Sequence, residues 1–236
     1  HSTTLNASLV TDNRKAGLFI FGQNRQRQAY DANGDSYSEL CELHQQTVGF
    51  RSYVKTSMYS KLSFEYHHIE EYRRGGDSLD LPPHQANIAE QTEHSINGGG
   101  LKFDYFSPNE KHHLSLYTSA QHIDRQSYYG AGRDPYAYGA TTDLTTVVGG
   151  QYVYNFNRCL FMPATFTGGM EYNRDALKDN MWGYGRELEQ TVHISSLFLQ
   201  NEWKNDQWSF LIGGRFDKHN LIDSPIFSPR INLRYN

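Results

Sequence analysis

The feature of this sequence that most restricts its fold is the alternation between short and long connections. Eleven segments show the two-residue alternation of apolar and polar side chains that is typical of β-strands. They lie near residues 2–10, 17–24, 38–54, 60–72, 91–106, 112–127, 142–155, 161–173, 189–203, 207–218 and 227–235. The short connections are "TDNRKA", "KTSMYS", "SPNEK", "NRCL" and "KNDQ", and the long ones cover 25–37, 73–90, 128–141, 174–188 and 219–226. This alternation predicts an all-β, antiparallel up-and-down transmembrane β-barrel with short turns at one end and long loops at the other.

The alternation within the strands assigns each side chain to one of two faces. In "KLSFEYH", Leu62, Phe64 and Tyr66 alternate with polar residues. The residues predicted to face lipid are Leu62, Phe64, Tyr66, Phe210, Ile212, Ile231 and Leu233. Those predicted to face the lumen are Lys61, Glu65, Arg215, Arg230 and Arg234. A soluble sandwich would not tolerate so polar a second face, because buried polar groups need partners.

Composition excludes some other classes of function. The 236 residues carry a formal net charge of −4, with a pI of about 6.3, so there is no basic stripe to indicate nucleic-acid binding. No apolar run approaches the ~20 residues of a transmembrane helix, whereas barrel strands give a weaker signal per segment. The aromatic content of 14% with a mean hydropathy of −0.72 suits short strands that have one thin apolar face.

The cysteines and the paired histidines are not predicted to form sites. Cys41 and Cys159 fall at opposite ends of the predicted barrel, about 25 Å apart, so we expect no disulfide between them. The adjacent histidines His67–His68 and His112–His113 point to opposite faces of a strand and cannot chelate one ion.

The stretch "YDANGDSYSELCE" has the ligand spacing of a calcium loop. Asp31, Asn33, Asp35, Glu39 and Glu42 stand at positions 1, 3, 5, 9 and 12, where an EF-hand places its oxygen ligands. Strands flank this loop, and a serine occupies position 6, so an EF-hand sensor is excluded. Two interpretations remain open: an Asp/Asn/Gly turn without metal, or a weak calcium site. The predicted ligands of that site are the side chains of Asp31, Asn33 and Asp35, the carbonyl of Tyr37, and either Glu39 or Glu42.

The C-terminal run "FLQNEWKNDQWSFLIGGRFDKHNLIDSPIFSPRINLRYN" carries a family resemblance. Its ordered elements are the strand Leu211–Asp217, a histidine-containing loop, and Phe227-Ser228-Pro229-Arg230 at the start of the next strand. This order resembles the barrel of TonB-dependent outer-membrane receptors. The segment "EEYRRGGDSLDLPPHQANIAEQTEH" resembles a loop in such receptors.

The resemblance implies energy-coupled uptake of a scarce nutrient across the bacterial outer membrane. The implied cargo is an iron siderophore, haem or cobalamin, and the implied partners are the inner-membrane protein TonB, acting through a plug domain, and outer-membrane lipid. Receptors of this type have about 22 strands around a plugged lumen. We therefore expect residues 1–236 to form part of one barrel domain, about half of its strands, without a plug domain. The alternative is a small outer-membrane barrel enzyme, a protease or a lipase, although no catalytic set stands out in the sequence.

Two long loops supply the candidate ligand contacts. Tyrosine and arginine offer flat stacking surfaces and anion contacts. The loop "YYGAGRDPYAYG" has four tyrosines beside Arg133, and the segment that begins at Arg73 contains Arg73, Arg74 and His84. The predicted ligand-binding residues are Arg74, His84, Tyr129, Arg133, Tyr136 and Tyr138. The alternative is that these side chains pack the loops against each other.

Overall fold

The computed structural model describes residues 1–235, which form one antiparallel sheet of eleven strands in chain order. The strands are β1 (Ser2–Val10), β2 (Ala16–Arg27), β3 (Ser38–Lys55), β4 (Ser60–Gly76), β5 (Ile88–Phe106), β6 (His112–Ala131), β7 (Tyr138–Cys159), β8 (Met162–Met181), β9 (Arg186–Lys204), β10 (Trp208–His219) and β11 (Ile226–Tyr235). Two single 3₁₀ turns lie at Pro83–Gln85 and Trp182–Tyr184. Among these residues no helix is long and apolar enough to cross a membrane. The predicted all-β, up-and-down fold is confirmed.

The connections confirm the predicted asymmetry between the two ends of the sheet. Tight turns occupy 11–15, 56–59, 107–111, 160–161 and 205–207, and the other end carries 28–37, 77–87, 132–137, 182–185 and 220–225. The strands are longer than predicted on the loop side. For example, β8 continues to Met181, paired throughout with β9, where the sequence predicted a loop from residue 174. Both faces of the sheet are largely polar there, so the alternation of apolar and polar side chains ends before the backbone pairing ends.

Two neighbouring rows of cross-strand partners show how the two faces differ. One row is wholly apolar: Val54, Leu62, Phe103, Leu116, Gly150, Met170, Leu197, Phe216 and Phe227. The next row is mostly polar: Lys55, Lys61, Asp104, Ser115, Gln151, Gly169, Phe198, Arg215 and Ser228. Since partners in a row share a face and successive residues alternate, the predicted division between apolar and polar sides is confirmed.

The apolar face covers only the half of the sheet next to the tight turns. On β6 the outer positions change from Leu114 and Leu116 to His122 and Asp124 toward the loops. Strands of 9–11 residues cross the hydrocarbon layer, whereas β6, β7 and β8 have 20, 22 and 20 residues. The loop ends of these strands therefore extend beyond the membrane.

Tyrosine–histidine pairs lie on the apolar face at both borders of this band. Near the tight turns, His112 Nδ1 and the Tyr152 hydroxyl are 2.6 Å apart, and at the far border the Tyr172 hydroxyl and His193 Nδ1 are also 2.6 Å apart. Such pairs match the aromatic girdles of outer-membrane barrels. The neighbouring His113 contacts Asp104 on the polar face at 3.1 Å. His112 and His113 thus face opposite sides, as predicted.

Ion pairs and hydrogen bonds connect the side chains of the polar face across strands. Tyr117 donates to Glu171 at 2.7 Å, and Arg215 lies 3.6 Å from Glu171 and 2.8 Å from Asp217. Within residues 1–235, β1 and β11 each pair with one neighbour only, so the sheet is open, as predicted for a partial barrel. Cys41 and Cys159 are both free thiols, which confirms that prediction.

Candidate functional site

The loop end of the sheet contains a cavity of about 310 Å³ with an aromatic wall. Tyr37 at the end of the 28–37 connection, Tyr129 on β6 and Tyr184 in the 182–185 connection line it. The Tyr184 hydroxyl donates to the Tyr129 carbonyl oxygen at 2.9 Å, which joins two of these elements. This volume is at the lower end of the range for small-molecule sites. The cavity lies beyond the apolar band, on the side of the long loops.

Glycine, alanine and isoleucine residues at the ends of β4, β5 and β6 form most of the rest of the cavity. They are Gly76, Ile88, Ala89, Gly130 and Ala131, with Glu90 as the one carboxylate among the described lining residues. Gly76 has a φ of +107°, and a Cβ atom there would lie 2.1 Å from the Ile88 carbonyl oxygen. Only glycine fits this close approach of β4 to β5.

Three of the predicted ligand residues lie on the accessible side of the loop end. Tyr129 lines the cavity, and the 132–137 connection exposes Arg133 and Tyr136. Asp134 holds the turn, because its carboxylate accepts the Tyr136 N–H at 2.8 Å and its carbonyl accepts the Tyr128 hydroxyl at 2.8 Å. These positions are open to a ligand that arrives from outside.

The other three, Arg74, His84 and Tyr138, pack the 77–87 connection against the sheet. Arg74 is 1% exposed and donates to the carbonyl oxygens of Gly75 and Asp77. His84 Nδ1 lies 2.8 Å from the Tyr138 hydroxyl. Tyr138 packs against a small core of Ala86, Ala89, Tyr128 and Ala137. In this arrangement the three side chains pack a loop against the sheet, as in the alternative considered above. Arg74 is almost fully buried and has very little surface to offer a ligand.

Asp77 closes the same connection. Its carboxylate accepts the Ile88 backbone N–H at 2.9 Å and the Asn87 amide at 2.8 Å. The Ile88 hydrogen bond is the main reason that the pKa of Asp77 lies below its ordinary value. The 77–87 connection is therefore a packed unit beside the cavity.

The predicted calcium loop brings together three carboxylates. Ligand atoms of Asp31, Asp35 and Glu39 all lie within 4.8 Å of one another. Glu42 is not among them, because β3 carries it away and its carboxylate contacts His44 at 2.8 Å. Of the two closing ligands considered from sequence, the geometry brings Glu39 to the loop.

The same loop is also well hydrogen-bonded without a metal. Asp31 accepts backbone N–H groups from Gly34 at 2.7 Å and from Ser36 at 2.8 Å. The Gly34 bond is the main reason that the pKa of Asp31 is lowered. Ser36, at the position where an EF-hand has glycine, adopts a φ of +69°. The geometry is therefore compatible with both interpretations, the turn and the calcium site.

Sequence reasoning missed Tyr184 and the role of the Tyr37 ring. Tyr184 stands in "WGYG", within a predicted long loop, and an aromatic side chain in a long loop is part of the signal that singled out Tyr129. Tyr37 was predicted only as a carbonyl ligand to calcium, whereas its side chain lines the cavity. The convergence of two connections and a strand end that are distant in sequence has no signature in the sequence itself.

Comparisons with known proteins agree with this architecture. A family model described as "TonB dependent receptor-like, beta-barrel" matches residues 3–236. A search of curated proteins gave no match.

Several solved structures share the fold at low sequence identity. The siderophore receptor PirA from Acinetobacter baumannii has a TM-score of 0.81 and 13% identity, over 100% of this chain and 38% of that one. A mutant of the ferric enterobactin receptor PfeA from Pseudomonas aeruginosa has a TM-score of 0.77 and 14% identity, over 98% and 38%. The outer-membrane transporter YddB from Escherichia coli has a TM-score of 0.68 and 11% identity, over 98% and 35%.

These comparisons settle the class of the chain. It spans less than two fifths of the length of each of these three receptors and transporters, and the likeness to them is one of fold. The family match covers nearly all of its residues and is a match to receptors, not to enzymes. The apolar band and its aromatic borders suit a location in the outer membrane. The chain belongs to the TonB-dependent receptor family and forms part of the outer-membrane β-barrel of such a receptor.

Proposed function

We propose that the receptor containing this chain imports a ferric siderophore across the bacterial outer membrane. The observation that carries the proposal is the tyrosine-lined cavity at the loop end, which lies outside the apolar band. Flat aromatic side chains contribute large contact areas at low entropic cost. Two proteins of similar fold, PirA and PfeA, are named as receptors for a siderophore and for ferric enterobactin. These names favour a siderophore over haem or cobalamin as the cargo.

In this proposal the ligand binds from outside, and TonB supplies the energy through a plug domain, as the family resemblance implies. Tyr37, Tyr129 and Tyr184 contact the ligand within the cavity, and Arg133 and Tyr136 extend the contact surface outward. Arg74, His84 and Tyr138 support this surface from behind by holding the 77–87 connection.

Uptake of radioactive iron by cells that lack the receptor gene tests this function. We expect the complete receptor to restore uptake of ferric siderophore only when TonB is present. The double substitution Tyr129→Ala, Tyr184→Ala should weaken ligand binding by about tenfold to a hundredfold, because aromatic anchors dominate binding energy. Tyr59→Ala is the matched control, since Tyr59 lies in the tight turn 56–59 at the opposite end. If the complete receptor restored uptake of haem or cobalamin but not of ferric siderophore, the cargo would be a different one.

We also propose that the 28–37 connection, together with Glu39, binds calcium weakly and that the ion orders the loop that presents Tyr37. Asp31, Asp35 and Glu39 would hold the ion, and hard oxygen ligands suit Ca²⁺. Calorimetric titration of the intact receptor should give a dissociation constant of about 10⁻⁴–10⁻³ M. The double substitution Asp31→Ala, Asp35→Ala should abolish the heat of binding, whereas Asp80→Ala, in the neighbouring 77–87 connection, should not. Identical titrations for wild type and the double variant would show that the loop is an Asp/Asn/Gly turn that does not bind calcium.

A further inference from the structure

We propose that this cavity selects neutral or positively charged ferric chelates and excludes polyanionic ones. The inference rests on the proposed function and specifies the class of ligand. The described residues that line the cavity are three tyrosines, Ile88, glycines and alanines, and Glu90, and none of them is basic. Glu90 is exposed, and its Cα partner across the strands is Tyr129, so its carboxylate stands beside the aromatic wall.

The long connections add negative charge around the cavity. Arg133 is their one basic residue other than histidine. Their acidic residues are Asp31, Asp35, Asp77, Asp80, Asp134 and Asp223. A ligand that approaches this end of the sheet therefore meets a predominantly negative field, which attracts cations and repels anions before contact.

Three arginines at the loop ends of the strands already have partners. Arg73 Nε lies 2.7 Å from Glu71, and Arg186 is paired with Asp179. Arg27 donates to the Cys41 carbonyl oxygen at 3.0 Å and to the Cys41 sulfur at 3.1 Å. The carboxylates of Glu71 and Asp179 offset the charges of Arg73 and Arg186, so an anion gains less from these two arginines than it would from unpaired ones.

The tyrosine wall acts in the same direction as the carboxylates. The face of an aromatic ring carries partial negative charge and attracts a cation placed over it. A unit charge about 6 Å from Glu90, in a partly hydrated site, should change the affinity by about threefold to tenfold for each charge on the ligand. A triply negative chelate would therefore lose the most affinity.

Binding of three iron chelates to the complete receptor in detergent tests the inference. The probes are a singly positive ferric trihydroxamate (ferrioxamine B), a neutral one (ferrichrome) and a triply negative ferric tris-catecholate (ferric enterobactin). We expect the positive and neutral chelates to bind at least tenfold more tightly than the tris-catecholate. Added salt should narrow the difference, because it screens exposed charges.

Substitution of Glu90 tests whether its carboxylate causes the charge selection. Glu90→Gln should weaken binding of the positive chelate by threefold to tenfold, leave the neutral one unchanged and strengthen the tris-catecholate. Glu93→Gln is the matched control, because Glu93 lies on the same strand but on the opposite face, where it accepts a hydrogen bond from Gln91 at 3.0 Å.

The outcomes separate the inference from the function on which it rests. Equal or tighter binding of the tris-catecholate would overturn the charge selection while leaving siderophore uptake in place. Equal effects of Glu90→Gln and Glu93→Gln would show that the cavity carboxylate does not select the ligand. Binding of none of the three chelates would overturn the proposed function and this inference together.

Discussion

Replacing Gly76 with alanine is expected to destabilise the loop end of the sheet by about 3 kcal/mol. The residue has a φ of +107°, a conformation that alanine adopts only with strain. An added Cβ would also lie 2.1 Å from the Ile88 carbonyl oxygen and 2.9 Å from the Ala89 Cα. Both are backbone atoms, so no side-chain rotation relieves the overlap. The ends of β4 and β5 would have to separate.

Amide hydrogen exchange of the intact receptor measures this effect. We expect faster exchange at residues 77–89 in the Gly76→Ala variant, because the separation would weaken the hydrogen bond from Ile88 to Asp77. Gly132→Ala is the matched control: Gly132 has a φ of +71°, but nothing lies within 4 Å of an added Cβ. The control therefore carries backbone strain without overlap. Equal exchange in the two variants would contradict the role assigned to the close approach.

The strands could be predicted from the sequence where lipid lies on one side of the sheet. Leu114 and Leu116 alternate with polar residues because one face meets hydrocarbon and the other meets the polar interior. Beyond the membrane both faces meet water, and the alternation disappears although backbone pairing continues. This is why the end of β8, from Arg174 to Met181, was predicted as a loop.

The candidate site could be predicted only in part. Tyr129 and Tyr136 stood out because tyrosine concentrates in one long loop, but which loops meet depends on the curvature and register of the whole sheet. The alternation rule does place Arg74 on the same face as Leu62 and Phe64, an even number of residues away. Applied to the loop end, that rule would have indicated that Arg74 lies on the outer side of the strand.

The interpretation of the acidic loop was limited for a different reason. An EF-hand brings its twelfth residue back to the ion with a helix, whereas here the chain enters β3 at Ser38. Glu42 is therefore paired across the sheet with Arg74. Ligand spacing alone does not determine which carboxylate closes a loop when the following element changes.

Placing arginine at Leu116 is expected to lower the free energy of unfolding by about 2–4 kcal/mol in a bilayer. Leu116 lies within the apolar row between Phe103 on β5 and Gly150 on β7, and its side chain is exposed on the sheet surface. The charged group would have to remain in hydrocarbon or reach for the border of the band. Unfolding of the complete receptor in lipid vesicles by denaturant measures the loss.

Ser119→Arg is the control on the same strand. Ser119 is exposed on the polar face, in the row that contains Gly100 and Val147. Because this face already carries Arg215 and Lys61, a further arginine there remains among polar groups and should cost less than about 1 kcal/mol. A similar loss for Leu116→Arg and Ser119→Arg would contradict the assignment of the two faces. A larger loss of unfolding free energy for Ser119→Arg than for Leu116→Arg would reverse the assignment. The ion pairs of the polar face would then lie on the lipid side of the sheet.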